Sequence, residues 1–299
     1  MDYNKPPLST DQHIELLQKR ALIINDIERA KRYLRYIGYY RLSAYFIPYQ
    51  HVKDEFNPGV TFDDVLALYI FDRKLRNHVM DAVERVEVAI RAVISNYMSQ
   101  MFGSRWFLDP AHFQENKNHT DFIDVVNSAL NQNKSNTFIK HYFEKYEKNS
   151  MPPCWMIMET LTLGSISKSF SGLRAKYKRA ICKDLGLEYK VFEEFLRSLT
   201  VTRNKCAHHA RFWNAKATHM PKEKTIEEVL NIPSRSTTFT QLSIIQFFIC
   251  QITSNSSWAS RLDHLIKNET PQKYINMCID KMGFPDNWQT HKLWHIHTP

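Results

Sequence analysis

Glycine is scarce in this sequence. Only 7 glycines occur among 299 residues, and no two lie close enough to form the glycine-rich loops that hold nucleotide phosphates. Cysteine is also sparse, with 5 residues. These cysteines form no CxxC pair and so indicate neither a zinc ribbon nor a disulfide framework. Nucleotide-dependent folds of those kinds are therefore not expected, and the thiols are read as reduced, as in a cytoplasmic protein.

Long apolar segments are missing as well. The most apolar run, residues 244–250, is too short to cross a bilayer and is predicted to be a buried helix. The polar, proline-bearing N-terminus does not resemble a signal peptide. His291, His295 and His297 have no carboxylate or cysteine companions at ligand spacing. The sequence therefore predicts no membrane contact, no metal site and no cofactor.

Positive charge is in excess. The chain has 40 Lys and Arg against 31 Asp and Glu, a formal net charge of +9. This balance favours a polyanionic partner such as nucleic acid. A solvated basic surface is the alternative, and charge alone leaves both open.

Helical periodicity runs through the chain and predicts an all-α, multi-helix bundle. We expect a helical, basic and aromatic N-terminal segment (1–60), a helical core (61–214) with a peripheral insertion around 103–150, and a linker with a C-terminal helical section (215–299). Thr61 is predicted to cap a very long helix that runs to about Gln100. An apolar helix is predicted from Pro152 through Leu163, with Gly164 ending it.

A helix that begins near Tyr189 carries the most informative residues. Its predicted buried arc consists of Val191, Phe192, Phe195, Leu199, Thr202 and Cys206. Arg203 lies at the edge of this arc, roughly 140° from His208, and Asn204 and His208 form an i,i+4 pair. His209 falls back towards the core arc, where a packed histidine is expected.

Arginine and histidine together suit RNA cleavage. Arginine presents a planar fork of donors that matches a phosphate, and histidine exchanges protons near neutral pH. The sequence thus makes Arg203, Asn204 and His208 the candidate catalytic residues, with His209 as a candidate accessory. The alternative is structural: Arg203 forms a salt bridge, and the two histidines cap the end of the helix.

Two basic clusters are candidates for RNA contact. Arg32, Arg35 and Arg41 are interleaved with tyrosines, most of which we expect to pack between helices. The second cluster lies just ahead of the helix that begins near Tyr189, where we expect it to hold an RNA backbone near Arg203, and consists of Arg174, Lys176, Lys178 and Arg179.

An acidic and basic block on the long helix has two interpretations. Glu84, Glu87 or Arg91 either form surface ion pairs or reach the motif helix and orient Arg203. We leave the block outside the catalytic set. Glu159 has two similar interpretations, as a partner of the motif helix or in a local pair.

Several blocks in a fixed order carry a resemblance to a known family. They are Lys5-Pro6-Pro7-Leu8-Ser9, residues 39–45, 68–76, 84–91, 152–156 and 159–164, and Arg203-Asn204-x-x-Ala207-His208 followed by residues 211–214. Together they resemble the Abi abortive-infection family of the AbiD/AbiF type, in the HEPN ribonuclease superfamily with its Arg-x4-6-His signature. The resemblance implies an all-helical HEPN-type core and a metal-independent endoribonuclease of bacterial antiphage defence.

The chain has one convincing copy of the motif, whereas the resemblance implies an active centre built from two. Arg76-Asn77-His78 begins similarly but has no histidine at the required spacing. We therefore expect a homodimer. With the ribose 2′-hydroxyl as nucleophile, the RNA products are expected to carry 2′,3′-cyclic phosphate and 5′-hydroxyl ends. A structured small RNA is a candidate regulator in a toxin system. A non-catalytic RNA-binding or interaction module is the alternative function.

Overall fold

The computed structural model describes residues 6–146, 150–233 and 236–295. Lys5 and His297, named above, lie outside these ranges. Within them the chain forms fourteen α-helices and one antiparallel hairpin of two short strands, β1 (Gln50–Val52) and β2 (Glu55–Phe56). The prediction of an all-α, multi-helix fold is confirmed.

The helices follow one another through short connections. In chain order they are α1 (Thr10–Lys19), α2 (Ile27–Ile37), α3 (Tyr39–Phe46), α4 (Phe62–Phe102), α5 (Asn116–Gln132), α6 (Thr137–Lys145), α7 (Cys154–Thr160), α8 (Leu163–Gly172), α9 (Ala175–Lys183), α10 (Tyr189–Ala207), α11 (Glu223–Leu230), α12 (Thr238–Ile252), α13 (Trp258–Glu269) and α14 (Ile275–Met282). No helix in these ranges has the length and apolarity together that a bilayer crossing needs.

The long helix α4 lies at the centre of the fold. Its 41 residues span about 60 Å. The predicted cap at Thr61 is part of a capping box, because the Thr61 hydroxyl accepts the Asp64 backbone N–H and the Asp64 carboxylate accepts the Thr61 backbone N–H. The buried face of α4 packs against α3, α7, α10, α12 and α13. One rod therefore contacts both the N-terminal and the C-terminal parts of the protein.

Helices α10 and α12 pack against α4 and against each other. The predicted inner arc of α10 is buried from Phe192 to Cys206, although Val191 is only partly covered. Helix α12 is buried around almost its whole circumference, as its apolar run predicts. All three predicted segments of the chain contribute side chains to one continuous hydrophobic core.

One helix boundary differs from its prediction. The helix expected to continue to Leu163 ends at Thr160, and Thr162 starts α8 by accepting the backbone N–H of Ser165. Gly164 lies in the first turn of α8, where an added Cβ would be 3.4 Å from the Thr200 side chain. Gly164 therefore lies inside the start of α8, beside α10, and does not end a helix.

Candidate active site at the end of the motif helix

The motif helix, α10, ends within the motif itself. Its last helical residue is Ala207, and His208 is the C-cap, with its backbone N–H donated to the Asn204 carbonyl over 2.9 Å. Both Asn204 and His208 are exposed. The helix therefore delivers the polar motif residues to the surface at its C-terminal turn.

His209 has a left-handed backbone conformation, with φ of 57°. Its N–H bonds to the Cys206 carbonyl and the N–H of Ala210 bonds to the Lys205 carbonyl, the pair of bonds that defines a Schellman motif. Glycine normally occupies this position, and another residue costs about 1–2 kcal/mol there. Helical spacing predicts that His209 lies towards the core. The chain leaves the helix before this residue, however, and His209 is exposed.

Arg203 forms a long ion pair with a carboxylate on α4. Its Nε lies 3.8 Å from Oε2 of Glu87, and its side chain remains 33 % exposed. Glu87 also pairs with Arg91, which donates to the Leu161 carbonyl over 2.8 Å. Of the two interpretations of this acidic and basic block, the geometry favours orientation of Arg203. Oε2 of Glu159 lies 3.6 Å from Nη1 of Arg91. Glu159 is therefore paired with α4 and not with the motif helix.

Arg203 and His208 open onto two different grooves of one chain. The Arg203 groove, of about 610 Å³, is lined by α4 residues that include Glu84, Glu87, Val88 and Arg91. The His208 groove, of about 680 Å³, is lined by α3 and the turn after α10. This separation agrees with the wide angle that helical geometry gives between the two side chains.

Two arginines tie the His208 groove together. Arg41 on α3 donates from Nη1 to the carbonyl of His209 over 2.7 Å. Arg211 donates from Nη1 to the carbonyl of Ala44 over 2.6 Å. Arg41, a predicted RNA contact, is therefore a direct neighbour of the motif turn.

A buried carboxylate fixes the chain just after the motif. Asp72 on α4 is fully buried and accepts the backbone N–H groups of Phe212 and Trp213, at 3.2 and 2.8 Å. It also accepts the Tyr45 hydroxyl at 2.6 Å and pairs with the Arg76 guanidinium. Burial raises the pKa of Asp72, while the Arg76 cation and these donors oppose the rise.

Sequence reasoning assigned no role to Asp72 or Arg76, although a signal was present. Positions 76 and 72 lie three and seven residues before Val79, so helical spacing places them on the same face of the long predicted helix as this apolar residue. Opposite charges four residues apart on an apolar face indicate a buried pair that holds something in place. Here the pair holds the backbone of residues 212 and 213.

The N-terminal basic candidates are accessible. Arg32 and Arg35 are exposed on α2, and within the described ranges neither has an ion-pair partner. The third of these candidates, Arg41, lies beside the motif turn.

The second basic cluster is not beside Arg203. Helix α9 packs against the beginning of α10, where Arg179 lies 5.5 Å over the Tyr189 ring. Tyr189 is about 21 Å along the helix axis from Arg203. Arg174, Lys176 and Arg179 are exposed, and Arg174 donates to the Phe113 carbonyl over 3.1 Å.

Lys178 departs from its predicted role. It is 3 % exposed, and its ammonium donates to Glu193 over 2.7 Å and to the Ser171 carbonyl over 3.0 Å. Its charge is used within the fold, so Lys178 is not retained as an RNA contact.

Among residues 6–146, 150–233 and 236–295, no cluster of three or more His, Cys, Asp or Glu side chains could hold a metal ion. A family model described as Abi-like protein matches residues 32–214. The chain belongs to the Abi-like family. No curated protein and no solved structure matches it. In this Abi-like protein the matched region contains Asp72, Glu87 and the whole motif turn, and it ends before α12.

Proposed function

We propose that this Abi-like protein is a metal-independent endoribonuclease of the HEPN superfamily that acts in bacterial antiphage defence by abortive infection. The observation that carries the proposal is the exposure of Asn204 and His208 beside a carboxylate-held Arg203 at the end of α10. A proton-transfer group and a phosphate-binding cation near the end of one helix fit phosphodiester cleavage when two copies of the chain bring the separate grooves together.

The chemistry follows from the three side chains. His208 accepts the proton of a ribose 2′-hydroxyl, or donates a proton to the departing 5′-oxygen. The 2′-oxygen forms a bond to phosphorus while the bond from phosphorus to the 5′-oxygen breaks. Arg203 stabilises the charge that builds on the phosphoryl oxygens, and Asn204 orients the imidazole or binds a phosphate oxygen. The products carry 2′,3′-cyclic phosphate and 5′-hydroxyl ends.

We infer that the complete site forms in a homodimer. Arg203 and His208 line separate grooves in one chain, so a second copy related by a two-fold axis supplies the missing half. Val88, which lines the Arg203 groove, is 55 % exposed and offers apolar contact area. Activity that persists in full for a monomer, verified by sedimentation, would contradict this arrangement.

Cleavage of labelled single-stranded and hairpin RNAs in EDTA tests the proposal. Arg203→Ala and His208→Ala are each expected to lower the cleavage rate by about 100-fold or more, the usual contribution of such groups. Arg197→Ala and His219→Ala are matched controls, because both residues are exposed and lie outside the site. Cleavage of an all-deoxy substrate, or its loss in EDTA, would overturn the mechanism.

The alternative, a non-catalytic RNA-binding module, has one supporting observation. Glu87 partly neutralises Arg203 and competes with a phosphate for it. RNA binding that is equal for the wild type and both variants, without cleavage by any of them, would favour this alternative. A discrete RNA that copurifies after high-salt washing would identify a regulatory small RNA.

A further inference from the structure

Two tyrosine rings extend into solvent beside the His208 groove. Tyr40 is 92 % exposed and Tyr36 is 78 % exposed. Their neighbour Tyr39 is used within the fold, since it stacks on His13 with ring centroids 4.4 Å apart. Large aromatic side chains kept in water are an informative exception on a folded surface.

Tyr40 shares its groove with cations that retain free donors. Arg41 and Arg211 line the same groove, and each gives one Nη1 bond to a backbone carbonyl, of His209 and Ala44 respectively. A guanidinium has five N–H donors, so both can still bind a phosphate oxygen.

The groove continues past Gly38 onto α2. Ile37 and Gly38 line the His208 groove, whereas Tyr36 lines a neighbouring groove of about 570 Å³ with Arg32 and Arg35. The turn between α2 and α3 occurs at Gly38, with φ of 89°. We call these two neighbouring grooves the track: Tyr40, Arg41 and Arg211 line one, and Tyr36, Arg32 and Arg35 line the other.

We propose that Tyr40 and Tyr36 are stacking platforms for two unpaired bases of a single-stranded RNA, whose backbone runs from the His208 groove towards Arg35 and Arg32. The inference rests on the proposed function for the identity of the strand as a substrate. It specifies the substrate class as RNA that is unpaired next to the cleaved phosphate, because bases within a duplex offer no free face for stacking.

The charge pattern favours RNA over a second protein surface. Asp26 and Glu28 line the same groove as Arg32 and Arg35, but Asp26 accepts the Arg29 backbone N–H and Glu28 pairs with Lys31. Covering Arg32 and Arg35 with an apolar partner would therefore bury two cations that have no ion-pair partner within the described ranges. A phosphodiester strand supplies that charge at regular intervals, and every base offers a face to a ring.

Fluorescence anisotropy with a labelled 2′-O-methyl oligonucleotide measures binding without cleavage. Stacking on one ring is worth about 1–3 kcal/mol per base, so Tyr40→Ala should raise Kd by about 5- to 150-fold. Tyr40→Phe should retain binding, and Tyr36→Ala should weaken it in the same range. Tyr146→Ala is the matched control, because Tyr146 is 51 % exposed and lines neither of these grooves.

An abasic position separates stacking from general loss of affinity. One base at a time is removed along the oligonucleotide, and at one position the penalty of Tyr40→Ala should disappear. Equal Kd values for wild type and Tyr40→Ala would overturn the proposal, as would a penalty that no abasic position removes. An altered sedimentation coefficient with unchanged RNA affinity would instead assign these rings to a protein interface, and so would also overturn it.

These results are distinguishable from failure of the proposed function. Suppose that no RNA is cleaved, but that Tyr40→Ala raises Kd and one abasic position removes this rise. The track then binds RNA, and the proposal of nuclease activity is wrong. If RNA is cleaved through Arg203 and His208 while Tyr40→Ala binds normally, only the stacking proposal is wrong.

Discussion

Glu87 balances the positive charge of two arginines beside the motif. It is 12 % exposed, lies between Arg91 and Arg203, and is the carboxylate closest to both guanidinium groups. Without it, two cations would face each other across a partly buried space. The direction of the Arg203 side chain therefore depends partly on a residue that touches no substrate in the proposed mechanism. It also depends on the bond that Nη1 of Arg203 donates to the Asn204 side-chain oxygen over 3.3 Å.

Glu87→Gln keeps the size of the side chain and removes its charge. We expect kcat for RNA cleavage to fall by up to about 100-fold, because a displaced phosphate ligand acts mainly on the transition state. KM should change much less, since Arg203 itself is still present. The single-turnover cleavage rate, followed as the RNA concentration is raised to saturation, measures both changes.

Glu84→Gln provides the matched control. Glu84 lies one turn earlier in the same groove and has no ion-pair partner in the described part of the chain. An equal loss of kcat in both variants would mean that groove charge, and not the contact with Arg203, matters.

The exposure and conformation of some residues follow from the local sequence pattern, whereas those of other residues depend on tertiary contacts. The exposure of Asn204 follows from helical spacing. The left-handed conformation of His209 does not, because it depends on where the helix ends and on the bond from Arg41. Burial of Lys178 depends on Glu193, which lies on another helix. Spacing along one element carries no information about either contact.

A partly buried histidine joins α4 to α13. His78 stacks on Trp258 with centroids 4.8 Å apart, and the Trp258 indole donates to the His78 carbonyl over 2.9 Å. Burial lowers the pKa of His78 from 6.5 to about 4. The unfolded chain therefore takes up this proton at a higher pH than the folded chain does.

The stability of the protein should consequently depend on pH through His78. Its contribution is complete above about pH 6.5 and is lost as the pH falls towards about 4, a difference on the order of 3 kcal/mol. His78→Phe preserves the stack and removes the titrating group. Urea unfolding at pH 7 and pH 4.5 should show a smaller stability difference for this variant than for the wild type.

His219→Phe is the control for that experiment, because His219 is exposed in the linker. If the His78→Phe protein loses as much stability on acidification as the wild type, protonation at this contact between helices is not the cause.

Elements with strong periodicity are the most predictable. The prediction that α4 starts after Thr61 and continues to about Gln100 agrees with its observed end at Phe102 within one turn. The boundary between α7 and α8 is missed because both flanks are apolar and the break depends on the Thr162 cap. An apolar run shows that a segment is buried but not where its direction changes.

The C-terminal helices support the candidate site in the whole molecule. Thr238 at the start of α12 donates to the carbonyl groups of Phe212 and Trp213, and Gln241 accepts the hydroxyl of Thr202 on the motif helix. The family match ends at residue 214, so these contacts lie between matched and unmatched parts of the chain.

A fragment that ends at residue 214 is expected not to fold. It loses the buried side chains of Leu242, Ile245, Phe248 and Ile249, each worth about 1.5–3 kcal/mol. Their sum is comparable to the entire stability of a typical domain, about 5–15 kcal/mol. The fragment should bind the dye ANS strongly, lack a cooperative thermal transition and cleave no RNA.

Coexpression of residues 215–299 as a separate chain is the matched rescue. The two pieces should copurify, and the complex should recover a cooperative transition. A fragment 1–214 that unfolds cooperatively by itself would show that α12 is dispensable for the core.

The rigid length of α4 has a consequence for the search for distant relatives. Asp72 holds the backbone after the motif and Glu87 holds Arg203, about four helical turns or roughly 22 Å apart on one unbroken helix. One inserted or deleted residue between them would rotate one anchor by about 100° relative to the other. Insertions that loops absorb freely are therefore excluded here, and a sequence profile that fixes this interval together with Arg203-Asn204-x3-His208 should recover homologues whose remaining sequence has diverged.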